Sequence, residues 1–360
     1  MGQETIVAEL LDFIAAHRPG DDAFDALALK LFAYQFQHNR PFAKFARARG
    51  KTPRNVNHWV DIPAVPINAF KALDLTCTPP ADAAAVFMTS GTTQGGLRGK
   101  SYHATLDVYD ASMTRNFAER FMRGNERMAM GILFATAEVM PNSSLAHYLD
   151  LAVRHFGAPG SDHLIGPDGI DLQRLIADLE RAETMQKPYA LLGASFSLVH
   201  AVDALRAQGR AFRLPPGSRI LDTGGFKGQS RELRLDEFYG TLSQTFGVNQ
   251  ADCINMYGMT ELSTQFYDNG NTVCPSVKSG PHWIRSRVVN PLTGVAVQKG
   301  EIGVLAHTDL AHYNIVTTIL TEDAGIEVDG GFLLLGRVAG AEAQGCSMAV
   351  DEFLSAAGSG

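Results

Sequence analysis

Residues 254–262 read INMYGMTEL, an apolar run that ends at Gly258 and is followed closely by Thr260 and Glu261. A short apolar run that stops at a glycine is typical of a buried strand. Ligands of open α/β sheets bind beyond the carboxyl ends of the strands, which is where Thr260 and Glu261 would lie. A lone Thr-Glu pair is otherwise an ordinary solvent-facing helix start, so the remaining sequence has to decide between these interpretations.

Similar apolar runs recur along the chain and alternate with helical patterns. One such pattern, at 21–39, places Phe24, Leu27, Leu31 and Phe32 on one face, with Asp21 or Asp22 as the expected N-cap. Alternation of this kind predicts an α/β fold with a covered, largely parallel sheet. After Asn290 the runs are short and punctuated by turns, which predicts a smaller β-rich subdomain at about 285–336. The runs assigned to the parallel sheet are AAVFMTS (84–90), MAMGILFAT (128–136), PYALLGAS (188–195), SRILDTGG (218–225) and ADCINMYG (251–258).

Composition excludes several classes of function. The chain has 360 residues and a net charge of -7, which argues against nucleic-acid binding. Its four cysteines form no CxxC pair, so a reducing, cytoplasmic setting is expected. Acidic residues interrupt the apolar N-terminus, which is unlike a signal peptide. No run approaches the ~18 apolar residues of a membrane span.

A second candidate site is the stretch FMTSGTTQGGLRGKSYH at 87–103. It lacks one residue of the Walker A spacing, so a P-loop is disfavoured. As a phosphate-binding loop, its hydroxyls and glycine amides would contact the phosphate oxygens, and Lys100 or Arg98 would add positive charge. A plain glycine-rich surface loop is the alternative. The candidate phosphate contacts are Thr89, Ser90, Gly91, Thr92, Thr93, Gly95 and Gly96.

Together, TSGTTQG (89–95) and MYGMTE (256–261) resemble the phosphate loop and the aromatic-Gly-x-Thr-Glu motif of the adenylate-forming superfamily of acyl-CoA and acyl-protein synthetases. The resemblance implies that Tyr257, before Gly258, stacks on adenine, that Thr260 contacts the α-phosphate and that Glu261 helps to hold Mg²⁺. It therefore implies ATP and Mg²⁺ as cofactors.

Three further stretches resemble the family's motifs and occur in the family's order. DTGGFKG (222–228) resembles the Gly-Gly segment beside adenine, which gives Gly224 and Gly225 a nucleotide-binding role. TILTED (318–323) resembles the Thr-Gly-Asp motif, although Glu322 stands where the family has glycine, and implies that Asp323 binds the ribose. LLGRV (334–338) implies that Arg337 is a second ribose contact.

Within the superfamily, the chain most resembles the LuxE-type acyl-protein synthetases. That resemblance rests on 26–50, on 61–75, on 90–113 with His103 and Tyr109, and on GCSMAVDEFL at 345–354. It implies an AMP-forming acid–thiol ligase that activates a carboxylic acid, expected to be a fatty acid, as an acyl-adenylate. The acyl group then passes to Cys346 as a thioester and onward to a reductase or carrier-protein partner. The candidate catalytic residues are Lys100, His103, Thr260, Glu261 and Cys346.

The resemblance also implies a large adenylate-forming domain of layered sheets and helices at 1–336 and a short tail at 337–360. The family's mobile C-terminal domain is expected to be largely absent, since 338–360 contain no lysine. Cys346 is expected in an accessible tail, before a helix that starts in SMAVDEFL, although a small buried residue is the plainer interpretation. Two other functions remain open: a ligase that delivers to coenzyme A or a carrier-protein thiol, and a non-catalytic nucleotide-binding subunit.

Overall fold

The computed structural model describes residues 2–90, 97–225, 230, 231, 233–338 and 340–358, with the backbone alone for 341, 342 and 358. By its internal contacts the chain divides into two compact units. The first unit comprises 1–115, 259–264 and 280–360, and the second unit comprises 116–258 and 265–279. In the described part of the chain, no helix combines the length and the apolar character that crossing a membrane requires.

The helices are α1 (Gln3–Ala15), α2 (Asp21–His38), α3 (Arg40–Ala48), α4 (Ala69–Ala72), α5 (Asp107–Phe117), α6 (Ser144–Phe156), α7 (Leu172–Met185), α8 (Ser195–Ala207), α9 (Leu235–Phe246) and α10 (Gly340–Gly358). The strands are β1 (Val65–Pro66), β2 (Ala85–Met88), β3 (Lys100–His103), β4 (Ala129–Leu133), β5 (Asp162–His163), β6 (Ile165–Gly166), β7 (Gly169–Ile170), β8 (Tyr189–Ala194), β9 (Arg219–Thr223), β10 (Cys253–Tyr257), β11 (Phe266–Tyr267), β12 (Val277–Lys278), β13 (Ile284–Val289), β14 (Ile302–Asp309), β15 (Thr318–Val328) and β16 (Gly331–Arg337).

The second unit is built on the parallel sheet that the sequence predicts. Its strands lie in the order β5, β4, β8, β9, β10 and β11, and all are parallel to their neighbours except β11, which is antiparallel to β10. β8 and β9 are buried along their full length, because helices that follow the strands cover the sheet. Leu198, Val202 and Leu205 of α8 belong to the same apolar core as Leu191 and Ile220.

One predicted member of that sheet belongs elsewhere. β2 pairs antiparallel with β3, in register from Ala85 opposite His103 to Met88 opposite Lys100, so the expectation of a parallel strand is wrong there. A parallel neighbour needs a crossover connection, usually a helix, whereas the chain returns directly from β2 to β3.

The first unit carries an antiparallel sheet of β13, β14, β15 and β16, with β1 added in parallel beside β15. α2 belongs to this unit, and its predicted apolar face is buried, including Phe24, Leu31 and Phe32. The predicted N-cap is wrong, because the helix begins at least one residue earlier: Gly20 is the N-cap, and Asp21 and Asp22 lie in the first turn, where their charges interact favourably with the helix dipole.

α10 covers part of this sheet. Cys346 and Ala349 pack with Val304, Ala306 and Leu320 of β14 and β15 in one apolar cluster. The ring of Phe353 lies 4.6 Å from that of Phe45 in α3. The expectation that a helix starts after Cys346 is therefore wrong, because α10 already begins at Gly340. Its alanine-rich sequence has high helix propensity, and burial of this apolar face stabilises the helix further.

Two buried amides on α2 and the residue after it fix the connection between β14 and β15. Gln35 donates to the carbonyl of Tyr313 at 2.8 Å and accepts from the Thr317 amide at 3.2 Å. Asn39 donates to the carbonyl of Ile315 at 2.9 Å. These bonds pair backbone groups that water does not reach, and each unpaired buried group costs free energy.

We predict that Gln35→Leu lowers the free energy of unfolding by about 1–3 kcal/mol, because it leaves buried backbone groups without a partner. Lys30→Ala on the same helix is the control, since Lys30 and Glu9 form an exposed ion pair at 2.8 Å. Such pairs contribute roughly 0–1 kcal/mol. Urea denaturation of both variants measures the difference, and equal losses would contradict the assignment.

Candidate active site

The Thr-Glu pair lies in a segment, 259–264, that connects β10 to β11 but belongs to the first unit. Asp309, at the end of β14, holds this segment. Its Oδ2 accepts the amides of Ser263 and Thr264, each at 2.8 Å, and its Oδ1 accepts the Thr264 hydroxyl at 2.7 Å. Trp283 also donates to the Thr264 hydroxyl, at 3.1 Å. Burial raises the pKa of Asp309 to about 6, although these hydrogen bonds favour the ionised form.

Glu261 is a buried carboxylate, 6% exposed. Burial raises its pKa to about 7, against the opposing effect of the positive charges of Arg337 and Lys71. Its Oε1 lies 3.2 Å from the point where a side chain on Gly99 would place its Cβ, and the Thr89 methyl lies equally close to that point. A side chain on Gly99 would therefore have to displace Glu261 or Thr89 by a few tenths of an ångström, so glycine suits this close approach. A buried carboxylate beside two cations, with its pKa near neutrality, is typical of a functional site.

The base of the glycine-rich loop is closed by its own first and last residues. The Thr89 amide donates to the Gly99 carbonyl at 3.0 Å, and the Gly99 amide donates to the Thr89 hydroxyl at 2.9 Å. Thr89 and Gly99 therefore bring the predicted phosphate loop against Glu261. Of the other predicted loop contacts, Ser90 is exposed. Gly91, Thr92, Thr93, Gly95 and Gly96 lie outside the described residues.

Lys100, the predicted loop cation, is already paired. Its Nζ lies 3.7 Å from the Asp74 carboxylate, which also accepts the Tyr102 hydroxyl at 2.6 Å. Lys71 is on α4, next to Phe70, whose Cβ lies 3.5 Å from the same Cβ point on Gly99. Among the described residues, the ammonium group of Lys71 makes no hydrogen bond or ion pair. Lys71 is thus a second candidate cation, which no motif spacing indicated.

The predicted ribose contacts face each other on adjacent strands. Asp323 on β15 lies opposite Arg337 on β16 in the ladder, and the Arg337 Nε lies 3.4 Å from Asp323 Oδ1. Glu322, which replaces the family's glycine, lies 3.4 Å from Arg337 Nη1 and accepts a hydrogen bond from Asn68. The Arg337 side chain is 65% exposed, so its guanidinium is open to a ligand. Both Asp323 and Arg337 act electrostatically on Glu261.

In the second unit, the adjacent strand ends are tied together by Asp222. Its carboxylate accepts the Ser195 hydroxyl at 2.9 Å, the Asn255 amide at 2.8 Å and the Tyr239 hydroxyl at 3.0 Å. Burial raises the pKa of Asp222 to about 6. Because Ser195 follows β8 and Asn255 lies in β10, the bonds fix the carboxyl ends of three neighbouring strands.

The predicted adenine contacts lie at these strand ends. Gly224 and Gly225 directly follow β9, and Gly258 directly follows β10. Tyr257 is the last residue of β10, and its ring lies 5.9 Å from that of Phe266. Their contact with adenine stays a prediction.

Two predicted catalytic residues, His103 and Cys346, are buried, although a reactive group has to be accessible to its substrate. His103 lies among aromatic rings, 5.0 Å from Phe87, 5.6 Å from Tyr109 and 5.8 Å from His312 between centroids. Cys346 is 3% exposed, and its Sγ lies 3.7 Å from the Thr321 carbonyl oxygen. The expectation of an accessible thiol is therefore wrong for this conformation, because α10 packs the thiol against β15. Thr321 lies two positions before Asp323, so the Cys346 thiol packs against the part of β15 that carries the predicted ribose contact.

Sequence reasoning missed Gly99, Lys71 and Asp309. Asp309 had a detectable signal, since it is an acid at the end of β14, whose first five residues are apolar, and a buried acid needs partners. Lys71 and Gly99 are ordinary residues in the sequence, and contacts across the fold distinguish them. Within the described ranges, no group of three or more His, Cys, Asp or Glu side chains has the arrangement of a protein-only metal site.

Comparison with known proteins finds a family and two relatives that match most of the chain. The family model described as "Acyl-protein synthetase, LuxE" matches residues 12–355. A Vibrio harveyi protein named long-chain-fatty-acid–luciferin-component ligase is 22% identical over 339 residues, which cover 91% of this chain and 87% of that protein. The protein of the same name from Aliivibrio fischeri is 21% identical over 328 residues, covering 89% and 85%.

Solved structures share the fold. The open conformation of 2-hydroxyisobutyryl-CoA ligase, in complex with 2-HIB-AMP and CoA, matches with a TM-score of 0.64 at 15% identity, covering 88% of this chain and 74% of that chain. ATP-bound MatB from Rhodopseudomonas palustris matches with a TM-score of 0.52 at 16% identity, covering 72% and 49%. These identities show the fold alone, and they confirm the predicted α/β fold of adenylate-forming ligases.

The family match spans nearly the whole chain, including the glycine-rich loop, the Thr-Glu segment and Cys346. The chain belongs to the LuxE family of acyl-protein synthetases.

Proposed function

We propose that this protein activates a long-chain fatty acid with ATP and Mg²⁺ to an acyl-adenylate, and then transfers the acyl group to the Cys346 thiol. One observation carries the nucleotide part: Glu261 Oε1 lies 3.2 Å from the Cβ point of Gly99, at the closed base of the Thr89–Gly99 loop. Two motifs far apart in sequence thus meet within the first unit, beside Asp323 and Arg337. The fatty acid comes from the names of the two bacterial relatives.

Adenylation requires positioning and charge stabilisation rather than proton transfer. A carboxylate oxygen attacks the α-phosphorus, the bond to the β-phosphate oxygen breaks, and pyrophosphate leaves. Negative charge grows on the phosphate oxygens, so preorganised cations and hydrogen-bond donors lower the barrier. Lys71, Lys100 and the Thr260 hydroxyl are the groups that would meet this charge.

Glu261 suits Mg²⁺. This cation is commonly held by one or two carboxylates together with substrate phosphates and water, so one buried carboxylate is enough. Bound there, Mg²⁺ would neutralise phosphate charge and orient the pyrophosphate leaving group. The elevated pKa of Glu261, about 7, agrees with a carboxylate whose counter-charge arrives with the ligand.

The second step forms a thioester. The Cys346 thiolate attacks the acyl carbonyl carbon, the bond to the phosphate oxygen breaks and AMP leaves. Because α10 buries the thiol, the helix has to shift from β15 before this attack. An acyl reductase would then receive the acyl group. The cysteines are free thiols, which fits a cytoplasmic setting.

The burial of Cys346 also favours a second candidate, in which the adenylate passes to an external thiol of coenzyme A or a carrier protein. In that case Cys346 is an ordinary core residue of α10, packed with Val304 and Leu320. The two candidates share the adenylation step and differ in the nucleophile.

We predict carboxylate-dependent exchange of pyrophosphate into ATP, with AMP as the product nucleotide, and a rate loss of about 10²-fold in Glu261→Gln. The isosteric change removes the charge that would hold Mg²⁺. ADP as the product, or no exchange with any acid from a panel of chain lengths, would contradict the adenylation. Full activity in Glu261→Gln would remove Glu261 from the site.

The raised pKa of Glu261 predicts that two further quantities depend on pH, the free energy of unfolding and the affinity for Mg-ATP. Because the pKa of Glu261 is raised to about 7, the folded protein keeps a proton that the unfolded chain has lost. Its contribution therefore makes the free energy of unfolding fall as pH rises from about 5 to 7. Binding of Mg-ATP needs the ionised form and should tighten over the same range, whereas Glu261→Gln should lose this component.

We predict that Lys71→Met lowers the rate of exchange more than Lys100→Met does, by about tenfold or ~1.4 kcal/mol of barrier. Lys100 is already paired with Asp74, at 3.7 Å, whereas Lys71 has no such partner in the described part of the chain. Steady-state kinetics with saturating ATP measure both variants. A larger loss in Lys100→Met would return the phosphate role to the loop lysine.

We predict that Cys346→Ser retains pyrophosphate exchange but loses the hydroxylamine-sensitive acyl adduct on the protein. The oxygen ester that serine would form resists mild hydroxylamine. Cys274→Ser is the control, because Cys274 is half-buried in the second unit and lies outside the predicted site. Mass spectrometry after incubation with ATP and acid detects the adduct. An undiminished adduct in Cys346→Ser would favour another thiol, and no adduct in the wild type would favour an external acceptor.

A further inference from the structure

We propose that Asp309 is a positioning residue for adenylation, whose carboxylate fixes the backbone of 259–264 so that Thr260 and Glu261 face the nucleotide. The inference rests on the proposed function. It adds a role for a residue that belongs to none of the nucleotide-binding motifs.

The hydrogen bonds of Asp309 exceed what its own turn needs. Asp309 caps the short turn Leu310–His312 by accepting the Ala311 amide at 3.0 Å. One bond of this kind completes a cap. The carboxylate instead accepts three further bonds, from the Ser263 amide, the Thr264 amide and the Thr264 hydroxyl, at 2.7–2.8 Å. Its main partner is therefore the segment that carries Glu261.

A second contact fixes the same segment from the turn that Asp309 caps. The Ser263 hydroxyl lies 2.9 Å from His312 Nδ1. Burial lowers the pKa of His312, so the ring is neutral and this contact persists across the assay range. Both residues that follow Leu262 are thus held by β14 and its turn.

The orientation of Glu261 depends on its backbone. Across the residues that the structure describes, no side chain hydrogen-bonds to the Glu261 carboxylate. Its direction therefore follows from the conformation of 259–264, which includes a turn closed by the Leu262 amide on the Met259 carbonyl at 3.1 Å. Fixing Ser263 and Thr264 limits how far Glu261 can move from Gly99. Small errors in such placement are costly in catalysis.

The test compares Asp309→Asn and Thr264→Val with Asp178→Asn. Asparagine keeps the size of Asp309 but places an amide donor against the backbone donors. Valine is isosteric with threonine and removes the hydroxyl that donates to Asp309, together with that hydroxyl's contacts with Trp283 and Ser112, while the Asp309 carboxylate and its two backbone donors stay. Asp178 is a matched control, a buried acid on α7 whose Oδ1 lies 2.6 Å from Arg181 and which lies in the second unit.

We expect the Mg²⁺ concentration for half-maximal pyrophosphate exchange to rise, and turnover to fall, by about 10- to 100-fold in Asp309→Asn, the range for residues that orient a metal ligand. Thr264→Val should also raise the half-maximal Mg²⁺ concentration and lower turnover, but by a smaller factor than Asp309→Asn. Asp178→Asn should lose thermal stability while it keeps its turnover and Mg²⁺ dependence below its melting temperature. Backbone hydrogen exchange of 259–264 should accelerate in Asp309→Asn and stay slow in the control.

Several results would overturn the inference. If both segment variants keep wild-type turnover and Mg²⁺ dependence while the wild type is active, the inference fails and the proposed function stands. If the wild type shows no exchange with any acid, the proposed function fails and the inference fails with it. If Asp309→Asn does not fold, Thr264→Val decides through the same kinetics and the same hydrogen-exchange peptide.

Discussion

The buried carboxylate of Asp309 is the constraint on which the candidate site depends. A carboxylate out of contact with water has to be satisfied by hydrogen bonds, and most of its donors are in 263–264. That requirement ties the end of β14 to the segment that follows β10 in sequence. It also brings Glu261 to the loop base at Gly99. The antiparallel sheet of the first unit thus acts as a rigid support for residues whose own sequence is a short irregular connection.

The positive charges of Arg337 and Lys71 near Glu261 suit the binding of an anionic ligand. Arg337 and Lys71 both favour the ionised form of Glu261, yet burial outweighs them and raises its pKa to about 7. A site of this kind gains electrostatic stability when a divalent cation and phosphates enter together. Arg337 already pairs with Asp323 at 3.4 Å, so the predicted ribose contacts are preorganised on adjacent strands.

The proposed thioester step requires that the acyl-adenylate can reach the Cys346 thiol. α10 places Cys346 beside Thr321, close in sequence to Asp323, and leaves only 3% of Cys346 exposed. Gly345 lets α10 pack closely against Pro291, because a Cβ at position 345 would lie 2.7 Å from the Pro291 ring. At its exposed face α10 is joined to Arg49, which follows α3, through two hydrogen bonds from the Arg49 guanidinium to the Glu352 carboxylate, at 2.8 Å and 2.5 Å. Protection of the thiol and access to it are therefore properties of how tightly α10 packs.

Local periodicity and short motifs predict the parallel strands β4, β8, β9 and β10, the apolar face of α2 and the family. The motifs also indicated Glu261, Asp323 and Arg337 as candidates that lie together in the first unit. Three features could be found in the folded chain alone: β2 pairs antiparallel with β3, Cys346 is buried within α10, and Asp309, Lys71 and Gly99 adjoin the Thr-Glu segment. These features depend on contacts between residues distant in sequence. Burial, and with it the pKa of Glu261 and the exposure of the thiol, is a property of the packed neighbours rather than of the residue.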